Sequence, residues 1–131
     1  MIGIDTNVVV RYIVADDDEQ TRRAVAFVES RVTAENPGFI SVVVLAELVW
    51  VLERSYRLPA AEIVEAIEFL LRADALVIAN EPEVIAAMNE VREGRGVFTD
   101  ALIGALNVSA GCSQTVTFDL RATRMAAFKA L

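Results

Sequence analysis

Met1-Ile2-Gly3-Ile4-Asp5-Thr6-Asn7 is the stretch from which the fold is read. Ile2 and Ile4 mark a short buried strand, Asp5 stands where it stops, and a fresh apolar run begins at Val8. A carboxylate is therefore expected at the carboxyl end of a strand. In open α/β sheets that edge is where ligands bind, which makes Asp5 a site candidate.

Further strands follow at Phe39-Ile40, Leu76-Val77-Ile78 and Thr115 to Phe118, with helical spacing between them. This alternation predicts an α/β fold with a small parallel sheet. The 131 residues suit a single domain, 1–131, in which no second core is needed. Helices are expected after Asp5, from Ala24 to Val32, from a Ser41 cap to about Tyr56, after Pro59, after Pro82, and over Ala101 to Ala110. A short last helix using Ala122, Met125, Ala126 and Phe128 is expected to close the chain. Asn80 with Glu83 reads as a capping box, and Met88 as core filler. The acids Asp16-Asp17-Asp18-Glu19 read as negative charge at a helix N-terminus. Val42 to Leu52 is apolar on nearly every face, so that helix is expected to be buried. Glu47 is the only charged residue in that interval, either paired with Arg54 or Arg11 or aimed at a ligand.

Composition narrows the chemistry. The chain has no histidine and one cysteine, Cys112. A Ser-His-Asp triad is excluded, a structural zinc site is disfavoured, and catalysis is left to carboxylates with hard cations. The lone thiol fits a reducing compartment. No run is long enough to span a bilayer and no basic, apolar leader precedes the first strand, so a cytoplasmic protein without a membrane partner is expected. A net charge of -7 argues against a broad cationic nucleic-acid surface. The basic residues are nevertheless almost all arginine, which suits bidentate phosphate contacts. Arg11 and Arg95, the latter in a turn Gly94-Arg95-Gly96 that also reads as a plain surface loop, are the candidates for phosphate contact. The 55% apolar content points to a dense core or to surface kept for a partner, a homodimer among them.

Asp5, Asp100 and Asp119 each stand beside an expected helix start, and capping alone explains each of them singly. A parallel sheet gathers strand ends on one edge, where the three acids would meet and Glu47 would reach them. Crowded carboxylates repel unless a cation such as Mg2+ or Mn2+ neutralises them.

Asp5-Thr6-Asn7 after the first strand, Glu47 on an apolar helix after Ile40-Ser41, Asp100 opening an Ala-rich helix, and Thr117-Phe118-Asp119 after a strand together resemble the PIN-domain ribonucleases. The VapC-type toxins of toxin-antitoxin pairs are the nearest in pattern. The resemblance implies a three-layer α/β/α domain with a small parallel central sheet and a metal pocket of Asp5, Glu47, Asp100 and Asp119. Thr6, Asn7 and Thr117 would hold the carboxylates and the metal's waters. Asp5 and Asp100 are then the first candidates for direct ligands, with Glu47 and Asp119 serving a second metal, bridging waters or the nucleophile. The implied activity is Mg2+- or Mn2+-dependent endoribonuclease, with RNA as substrate and a cognate antitoxin as partner. Ala127 to Leu131 leave little room for the short last strand often seen in that family. Two other classes share parts of the pattern. A phosphoaspartyl receiver or haloacid-dehalogenase-like phosphatase wants a nearby lysine, and Lys129 is the only one present. A non-catalytic binding module would use the aspartates only as caps.

Overall fold

The computed structural model describes residues 1–16 and 18–131. The chain divides into two compact units, Met1–Ala79 and Asn80–Leu131.

In the first unit, β1 (Ile2–Gly3), β2 (Gly38–Ile40) and β3 (Leu76–Ile78) form a parallel sheet in the order β1-β2-β3. Ile2 pairs with Gly38, and Gly38 in turn with Leu76. Parallel neighbours need crossover connections, supplied by α1 (Thr6–Ile13) with α2 (Glu19–Arg31), and by α3 (Val42–Arg54) with α4 (Ala60–Arg72). At the start of β1 the Ile2 N–H donates to the Pro37 carbonyl at 2.8 Å. Gly38 is favoured by close approach of side chains rather than by turn geometry. A Cβ there would lie 2.6 Å from Ile4 Cδ1 and 2.9 Å from Leu76 Cδ2, so the sheet and its neighbours close over a bare backbone.

α3 begins as its sequence suggests, with Ser41 Oγ accepting from the Val44 N–H at 3.3 Å. Its buried residues are Leu45, Leu48, Val49 and Leu52, one face at helical spacing. The expectation of a helix buried on nearly every side is corrected. Val43, Glu47, Trp50 and Arg54, spaced four, three and four apart, form an exposed stripe on the same helix. Apolar composition misled here because Val43 and Trp50 are 65% and 56% exposed.

In the second unit, α5 (Glu81–Arg92) packs against α6 (Phe98–Ser109), burying Val84, Ala87 and Met88 of the first and Phe98, Ala101 and Leu102 of the second. Met88 is core, as read. The capping box is not formed: Asn80 adopts a left-handed conformation, φ 54, and makes no side-chain cap bond. Asp100 stands in the first turn of its helix, as expected, but does not cap it, since Val97 is the N-cap.

The expected closing helix is replaced by one 3-10 turn, Ala122–Arg124, and a strand. This strand, β5 (Phe128–Ala130), pairs in parallel with β4 (Thr115–Thr117). The reason lies in the contacts. Ala122 and Met125 are both buried by the tight turn, after which the backbone is extended at Met125. Phe128 then lies against α6 where Gly104 has no side chain; a Cβ at Gly104 would stand 2.8 Å from the Phe128 ring. The Leu131 N–H completes the pairing by donating to the Thr117 carbonyl at 2.9 Å.

Helices around a small parallel sheet give the α/β class expected from the sequence. Among the described residues no helix is long and apolar enough to cross a membrane.

Candidate active site

Asp5 follows β1 and caps α1. Its backbone is extended, and its Oδ1 accepts from the Thr6 N–H at 2.9 Å. The other carboxylate oxygen receives no protein donor among the described residues. Thr6, 8% exposed, turns its hydroxyl the other way and donates to Glu47 Oε2 at 2.6 Å. One threonine thus links both acids, orienting Asp5 through its main chain and Glu47 through its side chain. This bond answers the question raised by Glu47, which pairs with neither Arg11 nor Arg54.

Asp5, Thr6, Asn7, Arg11 and Glu47 line one cleft of about 400 Å3, together with Gln20, Ser55 and Tyr56. Asn7 faces this space without bonding to either acid. The sequence marks Tyr56 only as a helix end, with no local signal that it walls the cleft. Asp5, Asn7 and Arg11 also line a second concavity of about 710 Å3, with Arg23 and Phe27 of α2.

Arg11 is not free. Its Nη1 donates to Asp18 Oδ2 at 2.9 Å and to Asp16 Oδ2 at 3.2 Å. Thr21 braces the same acids, its N–H reaching Asp18 Oδ1 at 2.7 Å and its hydroxyl Asp16 Oδ1 at 2.6 Å. The Thr21 N–H is the main reason the Asp18 carboxyl lies below its usual range, with the Thr21 hydroxyl and Arg11 adding to it against burial. The acidic run therefore caps α2 through Asp18, as read, and also holds an arginine, which was not foreseen. Asp17 of that run lies outside the described residues.

In the second unit, Asp119 acts on Asp100. Burial first, and then the negative charge of Asp119, push the Asp100 carboxyl above its ordinary range, with Arg121 opposing. Asp119 Oδ1 accepts from the Arg121 N–H at 2.9 Å. Thr117 supports the neighbouring acid through that acid's main chain. Its hydroxyl accepts from the Asp119 N–H at 3.0 Å, so it fixes the backbone of the acid rather than its carboxylate. Arg95 is held by α5, its Nε 2.7 Å from Glu90 Oε2 and its Nη1 3.9 Å from Glu93. The Glu90 bond is the main reason its guanidinium holds its proton more tightly than usual.

Among the described residues, no three His, Cys, Asp or Glu side chains form a ready-made ligand set for a metal ion. The chemistry of the donors nevertheless fits a hard divalent cation. They are all oxygens, and Asp5 keeps one oxygen without a donor. Burial is the larger cause of the rise at Asp100, and the smaller part that comes from the charge of Asp119 is a repulsion that a cation relieves.

Residues 2–128 match the family model of the PIN domain. No curated protein matches the chain.

Proposed function

The chain belongs to the PIN-domain family, whose members are generally nucleases that bind divalent metal ions, and from that premise we propose a Mg2+- or Mn2+-dependent endoribonuclease, the toxin of a toxin-antitoxin pair. The observation that carries the reading is the Thr6 bridge, which orients Asp5 and Glu47 together on one cleft in a chain without histidine. Asp5 and Glu47 are the carboxylates proposed for the metal at this cleft, and the resemblance to the family would add Asp100 and Asp119. The family match runs across both compact units, which supports treating 1–131 as one PIN domain.

A bound divalent cation would supply water activation at neutral pH and stabilise the charge that builds on the departing oxygen. The chain's own residues prepare for this. The Thr6 N–H fixes Asp5 Oδ1 and leaves the second oxygen for a ligand role. The Thr6 hydroxyl fixes Glu47 Oε2 and leaves Oε1 to accept from a water. Asp100 carries its proton to higher pH than an ordinary aspartate, and a bound cation would oppose that rise by favouring the carboxylate.

The proposed protein partners are a cognate antitoxin and a second copy of the chain. Exposed apolar side chains support such contacts, notably Phe118 and Leu120, 84% and 72% exposed on either side of Asp119. The test is cleavage of defined RNAs by the purified chain with Mg2+, Mn2+ or EDTA, beside calorimetric metal titration of wild type and Asp5→Asn. Metal-dependent cleavage that vanishes in Asp5→Asn with the fold intact is expected. Undiminished cleavage in that variant would overturn the site assignment, and no cleavage of any RNA by wild type would overturn the activity.

A further inference from the structure

The exposed stripe of α3 carries more than Glu47. Trp50 stands on the next turn, about 4.5 Å further along the helix axis, and Arg54 on the turn after that. The Arg54 guanidinium lies over the Trp50 ring, 5.6 Å from its centroid. Arg54 has no carboxylate partner among the described residues, and Trp50 is 56% exposed. An indole left more than half in water, with a cation already on one face, has the form of a stacking platform.

Resting on the nuclease reading above, we infer that Trp50 and Arg54 form a subsite for a nucleobase of the RNA strand beside the cleft that holds Glu47. The base stacks on the indole, and the guanidinium, already placed there, neutralises an adjoining phosphate. Two observations and one general property of stacking favour this occupant. The chain carries a net charge of -7, so broad electrostatic attraction to RNA is unavailable. Arg11 and Arg95 are both engaged by carboxylates of their own chain. Stacking works without net charge, and it tolerates any base because every base has a π-face. A second copy of the chain is the less suitable occupant of this stripe. Val43, Glu47, Trp50 and Arg54 alternate apolar and charged groups, whereas the core of a homodimer interface is depleted of charge.

Trp50 is the only tryptophan, so its fluorescence reports this position alone. The experiment titrates the full chain with fluorescein-labelled single-stranded oligoadenylate and oligouridylate in EDTA, following label anisotropy for binding and tryptophan emission for contact. Quenching that tracks binding is expected, with Trp50→Ala weakening affinity about 5- to 100-fold and Trp50→Phe keeping most of it. Binding without quenching, together with unchanged affinity in Trp50→Ala, overturns the subsite and leaves the nuclease reading standing. Absence of both binding and metal-dependent cleavage overturns the two together. An emission change that follows protein concentration without RNA, with a doubling of mass in sedimentation, assigns the stripe to a second copy instead. Should Trp50→Ala fail to fold, quenching in wild type and affinity in Trp50→Phe decide the matter.

Discussion

Thr6→Val removes one hydroxyl and little else, which makes it the sharpest probe of the bridge between Asp5 and Glu47. The lost bond, 2.6 Å from hydroxyl to carboxylate, belongs to the charge-assisted class worth about 1.5–3 kcal/mol. Two effects reduce that figure. Glu47 is exposed, so water replaces the missing donor, and the new methyl occupies a position only 8% exposed, where apolar burial recovers part of about 0.8 kcal/mol. The Asp5 cap survives because it uses the Thr6 main chain. A net destabilisation of about 1 kcal/mol is expected, read as a lower urea midpoint at unchanged slope. A double-mutant cycle with Glu47→Ala should return a coupling of about 1 kcal/mol, and Thr6→Ser should retain it. Metal affinity should fall about tenfold, as when a ligand's outer partner is lost. Zero coupling would mean that the bond does not hold Glu47 in solution. A loss above about 4 kcal/mol would mean that Thr6 is a packing residue first.

Asp5→Asn keeps a side chain that caps helices well, so urea melts should place it within about 0.5 kcal/mol of wild type while metal binding and cleavage fall. For Asp100 the folded pKa lies above the unfolded one, so its contribution to stability is fullest below the ordinary aspartate value of 3.8 and declines as pH rises through the folded value. Asp100→Asn should therefore be more stable than wild type at neutral pH in EDTA and lose that advantage in acid, and thermal melts across pH that ran parallel would contradict it. Gly38→Ala should cost about 1–3 kcal/mol by overpacking Ile4 and Leu76, whereas Gly3→Ala, with nothing within 4 Å of its Cβ, should lie near zero in the same denaturation assay. Asp16→Asn loosens the hold on Arg11, and RNA binding at varied salt should then tighten and gain about one phosphate contact in slope; an unchanged slope would remove Arg11 from the binding surface.

What the sequence disclosed follows the range of the forces involved. The strands at Ile2, Phe39 and Leu76 and the Ser41 cap are local patterns, and they stand where the pattern put them. The link between Thr6 and Glu47 spans 41 positions, yet a threonine beside Asp5 was already a candidate to hold a carboxylate. Three features were beyond local reading. Phe128–Ala130 is a strand only because β4 and the bare backbone of Gly104 receive it, a long-range arrangement that the helical spacing of Ala122 and Met125 concealed. The partners of Arg11 were hidden because acids before a helix have an adequate explanation as N-terminal charge. The exposed side of α3 was hidden because hydrophobic residues at the surface look, in a sequence, like those in a core.

The hydrogen bonds at the two ends of the chain bear on how the protein is to be handled. Leu131 is tied to Thr117, whose hydroxyl supports Asp119, and Ile2 is tied to Pro37 just ahead of Asp5. A fusion at either end is thus joined within a few residues of an acid's support. A polyhistidine tag would be the least suitable choice, because it would bring a string of imidazoles to a protein that has none. Metal affinity measured on such a fusion would report the tag. Material with the tag removed, or purified by anion exchange at neutral pH where the chain is negatively charged, lets the carboxylates be measured alone.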